Sequence, residues 1–188
     1  MIELWSWPTP SGQKVHIALE ELGLPYEVVP INIGKGEQFS GISCHDGGQS
    51  SVAIQWLMFQ MASVGPMFGQ HAHFATYAAE KLPYAIERYG NESLRILRVL
   101  DKRLGENEWL AGGEYSIADI ATFPWTRTSA GRGIDMSALP NVTRWHEAML
   151  ARPAVHRGLE VMKDKQRTKP MTEEEKEILF GKKQLEAR

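Results

Sequence analysis

Cysteine is nearly missing from this sequence. Cys44 stands alone among 188 residues, which excludes a disulfide framework and any cysteine-rich zinc site. No apolar run approaches the ~20 residues that cross a bilayer. Charge of one sign is missing too: 21 Lys and Arg stand against 23 Asp and Glu, a net of −2, without the basic surplus of a dedicated nucleic-acid binder. Met1-Ile2-Glu3-Leu4 has no positive segment leading into an apolar stretch, so no signal peptide is expected and a soluble, cytoplasmic protein is. The G-x-G-x-x-G, P-loop, H-E-x-x-H and G-x-S-x-G patterns are absent. What is present suffices for a core: 43% of residues are hydrophobic and six are Trp, which excludes a mostly disordered chain. The length allows one domain or two small ones.

Ile2 to Trp5 is a short β-type run that ends at Trp7-Pro8-Thr9-Pro10, where two prolines forbid further ladder pairing. A helical pattern starts at Ser11. Val15, Ala18, Leu19 and Leu22 fall at i, i+3, i+4 and i+7, with Gly23 placed as the residue after the helix and Pro25 just beyond. Tyr26 to Ile33 is β-rich again. Residues 1–33 therefore read as β–α–β, and a right-handed crossover pairs the strands in parallel. Thr9 and Ser11 sit at the mouth of the helix, where free N–H groups and the dipole favour an anion. From spacing alone Ser11 reads as a plain N-cap ahead of a catalytic hydroxyl. Lys14 reads as a solvated charge.

From Val52 onward no convincing strand occurs. Val52-Ala53-Ile54, Trp56-Leu57, Phe59 and Met61 form an apolar helix, interrupted by Gly65-Pro66. Pro83 opens a long helix to about Leu104, with Tyr84, Ile86, Tyr89, Leu94, Leu97, Leu100 and Leu104 on or near one stripe. Gly112-Gly113 makes a turn. Ser116-Ile117-Ala118-Asp119 has the form of a capping box flanked by Tyr115 and Ile120, and its Asp reads as a helix cap in preference to a catalytic acid. A further helix spans about Asn141 to Ala151, before Pro153. Residues 161–188 are half charged and read as a solvated surface tail, with a short helix begun by Thr172-Glu173-Glu174-Glu175 and stopped at Gly181. His71-Ala72-His73 has i, i+2 spacing, which does not share a helix face, so no metal site is expected there.

Several stretches are specific as a set: Trp7-Pro8-Thr9-Pro10-Ser11-Gly12-Gln13-Lys14-Val15, Gly34-Lys35-Gly36-Glu37-Gln38-Phe39, Gln55-Trp56-Leu57-Met58-Phe59-Gln60, Gly65-Pro66-Met67, Pro83-Tyr84-Ala85-Ile86-Glu87-Arg88-Tyr89 and Tyr115-Ser116-Ile117-Ala118-Asp119-Ile120-Ala121. Together they resemble the nu-class glutathione transferases, a bacterial group similar to the yeast nitrogen-regulation prion protein. The resemblance implies an α+β fold in which a thioredoxin-like N-terminal half (residues 1–51, here truncated to β–α–β) binds glutathione. An all-helical C-terminal half (52–160) follows, and then the charged tail (161–188). It also implies a homodimer that conjugates glutathione, its cosubstrate, to small electrophiles or uses it to reduce disulfides. In the group Thr9 matches a residue that hydrogen-bonds the glutathione sulfur, and Gln38 matches a glutathione contact. Arg88 matches the long-helix arginine that reaches the partner subunit's site. Position 11 is usually Asn there; the Ser found here still offers one hydrogen bond to a thiolate. The G-Q-x-H-H-F stretch of the group becomes Gly69-Gln70-His71-Ala72-His73-Phe74.

One departure is large. Between Phe39 and Gln55 the family places a helix, a hairpin opened by a cis-proline loop and a helix begun by a Glu-Ser pair that holds the γ-glutamyl group. Here 15 residues, Ser40 to Ile54, bridge the gap, and no proline occurs between Pro30 and Pro66. The only Glu-Ser pair is Glu92-Ser93, inside a later helix. The chain falls roughly 45 residues short of two full domains, so glutathione binding is expected to be weakened. The alternative reading is a catalytically impaired homologue that serves as a binding or interaction module. Cys44-His45-Asp46 lies in the bridging segment and reads as a leftover loop cysteine ahead of a reactive thiol.

Overall fold

The computed structural model describes residues 2–35, 51–167 and 169–185. Strand β1 (Ile2–Ser6) and strand β2 (Tyr26–Pro30) pair in parallel, with Ile2 opposite Tyr26 and Ser6 opposite Pro30. Helix α1 (Pro10–Leu22) makes the crossover. Among the described residues these two strands are the whole sheet. Gly23 ends α1 with φ +62°, and Leu24 N–H reaches back to Leu19 O at 3.2 Å, the 6→1 bond of a left-handed helix stop.

The rest is helical: α2 (Ser51–Phe59), α3 (Gly65–Ala72), α4 (Pro83–Glu106), α5 (Ile117–Thr126), α6 (Pro140–Leu150), α7 (Pro153–Glu160) and α8 (Glu173–Phe180). The fold is thus a short thioredoxin-like β–α–β unit followed by an all-helical domain, as the sequence implies. Helix α5 is buried almost all round, from Ala118 to Pro124 and again at Thr126, and forms the axis of the helical domain. Phe68, Ile96, Leu100, Phe123, Trp145 and Met149 close the core around it. Asp101 on α4 caps α6, accepting from Asn141 N–H at 2.9 Å and Val142 N–H at 3.0 Å. Arg144 on α6 returns the favour to the carbonyl end of α4, at Leu104 O, 2.9 Å.

Four expectations are corrected. The buried face of α1 is Gln13, His16, Ile17 and Leu19, while Val15 and Leu22 are exposed, because α1 lies against α5 and α7 and turns that face inward. Gly65-Pro66 does not break its helix. A π-turn over Gln60–Val64 widens the coil just ahead, so Pro66 falls in the first turn of α3, where its missing N–H costs nothing. Tyr84 leaves the α4 stripe and is 81% exposed; Ser93 and Ile96 take its place inside. The charged tail is no free surface segment. Its helix α8 buries Ile178, sets Phe180 edge-to-face against His73 at 4.5 Å between ring centres, and packs on the turn Ile33–Lys35. The run of charge ahead of Ile178-Leu179-Phe180 hid these contacts.

Candidate active site

The mouth of α1 is built from the chain upward. Gly12 lies where any side chain would collide: a Cβ there would stand 2.2 Å from Trp7 O and 2.6 Å from Ser6 Oγ. The first helical turn is therefore pressed onto the end of β1, and the turn Trp7–Thr9 closes with Thr9 N–H on Trp7 O at 2.7 Å. Thr9 is extended (φ −101°, ψ 164°) and its Oγ1 accepts from Gly12 N–H at 3.4 Å. The cap is thus Thr9, and the reading of Ser11 as the cap is corrected: Ser11 is the second residue of the helix and is exposed. A hydroxyl has one proton and two lone pairs, so Thr9 caps with its oxygen while its proton stays available to an acceptor outside the helix. The Ser11 N–H is among the first-turn donors that no intrahelical carbonyl reaches. No acidic residue occupies the first turn to compete for them.

The helical domain holds α1 in place. Arg152 clamps Glu21 and lies over the Tyr115 ring at 3.7 Å. Arg157 pairs with Glu20 at 2.5 Å, and Tyr26 OH donates to the same carboxylate at 2.7 Å. Both carboxyls are held below the ordinary range, Glu20 chiefly by the Arg157 hydrogen bond and Glu21 chiefly by that from Arg152. Burial, then the Glu20 bond, pushes Tyr26 up to about 12. Arg127, at the end of α5, donates to Gln13 Oε1 at 3.3 Å from beneath the first turns.

Gln38 and Cys44-His45-Asp46 fall outside the described residues. Arg88 is exposed on the second turn of α4, with Glu92 4.0 Å away as its ionic neighbour. Since α4 packs on α3 and α6 while α1 packs on α5 and α7, the chain does not bring Arg88 alongside Thr9 and Ser11. Asp119 is the cap its motif implies. It is fully buried and accepts from Leu110 N–H (3.0 Å), Ser116 N–H (3.0 Å) and Trp145 Nε1 (2.9 Å). His71 and His73 part company: His71 is buried against Gly90 of α4, and His73 faces Phe180. The sequence reading missed Gln13 and Arg127, since a polar residue on a buried helix face carries no periodic signal.

This geometry matches known proteins. Residues 1–42 match the family described as glutathione S-transferase, N-terminal domain, and residues 59–153 match glutathione S-transferase, C-terminal domain. The chain belongs to the glutathione S-transferase family. It is similar to the disulfide-bond oxidoreductase YfcG of Escherichia coli (strain K12), with 36% identity over 203 positions that cover 85% of this chain and 94% of that one. The fold is similar to a glutathione transferase family member from Pseudomonas fluorescens pf-5 crystallised with two glutathione bound (TM-score 0.76, 36% identity, 84% of this chain and 92% of that one). It is also similar to a glutathione transferase from Pseudomonas putida with one glutathione disulfide bound per subunit (TM-score 0.77, 32% identity, 85% and 91%).

Proposed function

We infer that this chain uses glutathione as a cosubstrate, with Thr9 and Ser11 stabilising its thiolate for attack on a small electrophile or a disulfide. The observation that supports the reading is the mouth of α1, where Thr9 caps with its oxygen, Ser11 is exposed in the first turn and no carboxylate occupies that turn. A free thiol has a pKa of ~8.5, so little thiolate exists at neutral pH. Hydrogen-bond donors and the positive end of a helix favour the charged form and lower that value. The thiol proton passes to solvent. The thiolate then forms a C–S bond as the electrophile's leaving group departs with its electron pair. With a disulfide, it forms a mixed disulfide and expels one thiolate, and a second glutathione resolves the product to glutathione disulfide and a second thiol. Gln38 supplies a further glutathione contact in this reading, and Arg88, exposed on α4, is offered to the site of a second subunit in a homodimer.

The finer assignment is the nu class, with domains at 1–51 and 52–160, a tail at 161–188, and a cytoplasmic setting. No described helix is long and apolar enough to cross a membrane.

A second reading has its own support: a catalytically impaired homologue with weakened glutathione binding that acts as a binding or interaction module. The YfcG match aligns 203 positions against 85% of 188 residues, about 160, leaving about 43 positions without a counterpart here. The two-stranded sheet is in keeping with an internal deletion of that size. Retention on immobilised glutathione and turnover of an aryl halide and of a glutathione mixed disulfide separate the two. Turnover lost in a folded Thr9→Ala variant supports the first reading. Turnover untouched by Thr9→Ala overturns the site assignment. A folded chain that neither binds nor turns over leaves the second, which micromolar affinity for glutathione by calorimetry would sink.

A further inference from the structure

A cavity of about 440 Å³ opens between α3, α4 and the loop after α5, with no contribution from α1. Its walls are apolar where Ile86, Leu94 and Ile134 meet, and two cation-capable groups close its floor, His71 and Arg132. His71 is 4% exposed, and its Nδ1 is buried with no hydrogen-bond partner. The Nη1 of Arg132 is likewise buried and unpaired. Native structures rarely leave such atoms without a partner, and an unpaired buried donor is costly. Glu87 and Asp135 also border the cavity, yet both are exposed, and neither is within ion-pair distance of Arg132. Asp135 is occupied instead by Ser137 N–H at 2.9 Å. Gly90 gives the space: a Cβ there would come within 3.4 Å of His71 Nε2, so the bare backbone lets the imidazole face the cavity across α4.

We propose that this cavity is a binding site for a small organic monocarboxylate, its carboxylate on the Arg132 guanidinium and the His71 Nε2–H, the ring edge that faces Gly90, its apolar body against Ile86, Leu94 and Ile134. The fork of a guanidinium matches a planar carboxylate with two parallel hydrogen bonds. A neutral imidazole can place its proton on Nε2 and add a third. One positive charge balances one carboxylate; a phosphate dianion would bring a second charge with no cation to meet it. Mostly apolar walls with a few convergent polar groups are the usual make-up of a site for a small organic ligand. The proposal stands apart from glutathione, since none of its residues belongs to the mouth of α1.

The test is a titration of the whole chain with benzoate, followed through the His71 ring resonances, with benzamide and inorganic phosphate as parallel probes. Saturable shifts at His71 with benzoate, and weaker ones with either other probe, are expected. Arg132→Gln should weaken benzoate binding roughly ten- to hundredfold, the loss of a charge-assisted pair. An unchanged thermal midpoint in that variant excludes a folding defect. Ile134→Phe, which fills the cavity and leaves both polar groups in place, gives the same loss by a route that keeps the charge. Equal binding of benzamide or phosphate overturns the carboxylate assignment. No saturable shift at His71, or shifts indifferent to Arg132→Gln and Ile134→Phe, overturns the site.

Discussion

Arg152 and Glu21 are joined by two parallel hydrogen bonds, Nε to Oε1 at 2.6 Å and Nη2 to Oε2 at 2.8 Å, across the seam between the helical domain and α1. The guanidinium plane rests on the Tyr115 ring, so position 152 contributes packing as well as charge. Removing it leaves a carboxylate with 17% exposure and only the more distant Arg157 as a cation. Arg152→Ala should cost about 1–2 kcal/mol in urea unfolding, more than the few tenths for removal of an exposed surface pair. Lys163→Ala, which breaks the solvent-exposed pair with Glu160, is the control. The folded-state Glu21 carboxyl titrates below its unfolded value of 4.5, so its contribution is present above that pH and fades as pH falls through the lower folded value. The gap between the Arg152→Ala variant and the parent should close in acid.

His146 gives an acid response of its own. Burial, aided by the charge of Arg127, pushes this imidazole down to about 4, and it shares a 2.9 Å hydrogen bond with Thr126 Oγ1. The unfolded chain takes up a proton near pH 6.5 that the folded chain refuses until about 4. Stability is therefore full above pH 6.5 and falls as pH drops between those values. In His146→Gln the fall over that window should flatten by about one proton's worth of slope in unfolding free energy against pH.

Asp119 ties α5 to α6 and to the Trp109–Gly112 turn by accepting from Leu110 N–H, Ser116 N–H and Trp145 Nε1. Asp119→Ala should destabilise by about 3–5 kcal/mol, because it strands buried N–H groups on three segments at once. Urea unfolding monitored by tryptophan fluorescence reads this directly, as Trp145 is one of the donors.

Gly158 is the point where α7 comes closest to α1: a Cβ would lie 2.7 Å from Ile17 N and 2.8 Å from Ile17 Cα. Both neighbours are backbone, so neither helix can yield without moving as a body. Gly158→Ala should lower stability by about 1–3 kcal/mol, with a lowered midpoint in a thermal melt. Gly12→Ala, where the clash is with Trp7 O, should displace the mouth of α1 and reduce retention on immobilised glutathione.

Thr9→Ser and Thr9→Ala separate the hydroxyl from the methyl. Both lose the methyl; only Ala loses the oxygen that receives Gly12 N–H. The expected cost of Thr9→Ala is about 1 kcal/mol in stability, with loss of glutathione turnover, while Thr9→Ser keeps both. Turnover assays paired with thermal midpoints check the two effects independently.

What the residues disclose in advance is what they decide locally. The two capping boxes, Ser116 with Asp119 and Thr172 with Glu175, close over three residues and form as their spacing implies. Gly23 stops α1 because glycine takes the left-handed conformation there freely. Thr9 was legible as part of a helix mouth, but its division of labour with Ser11 was not, since that depends on which residue the backbone leaves extended. The choice of buried face on α1 is a tertiary decision: Gln13 and His16 go inward because α5 and α7 meet them there, against the local preference for Val15 and Leu22. The pairing of His71 with Arg132 in one cavity joins residues 61 positions apart, on segments that give no hint of each other.

Helix α8 grips the turn after β2 while α7 grips α1, and this sets an order for biosynthesis. The pairs that fasten the β–α–β unit, Glu21 with Arg152 and Glu20 with Arg157, span 131 and 137 residues of chain. At the ~5–20 residues per second of translation, the first strand leaves the ribosome many seconds before its clamps exist. Two parallel strands alone do not make an independently stable sheet, so the beginning of the chain, the mouth of α1 included, waits on its later helices.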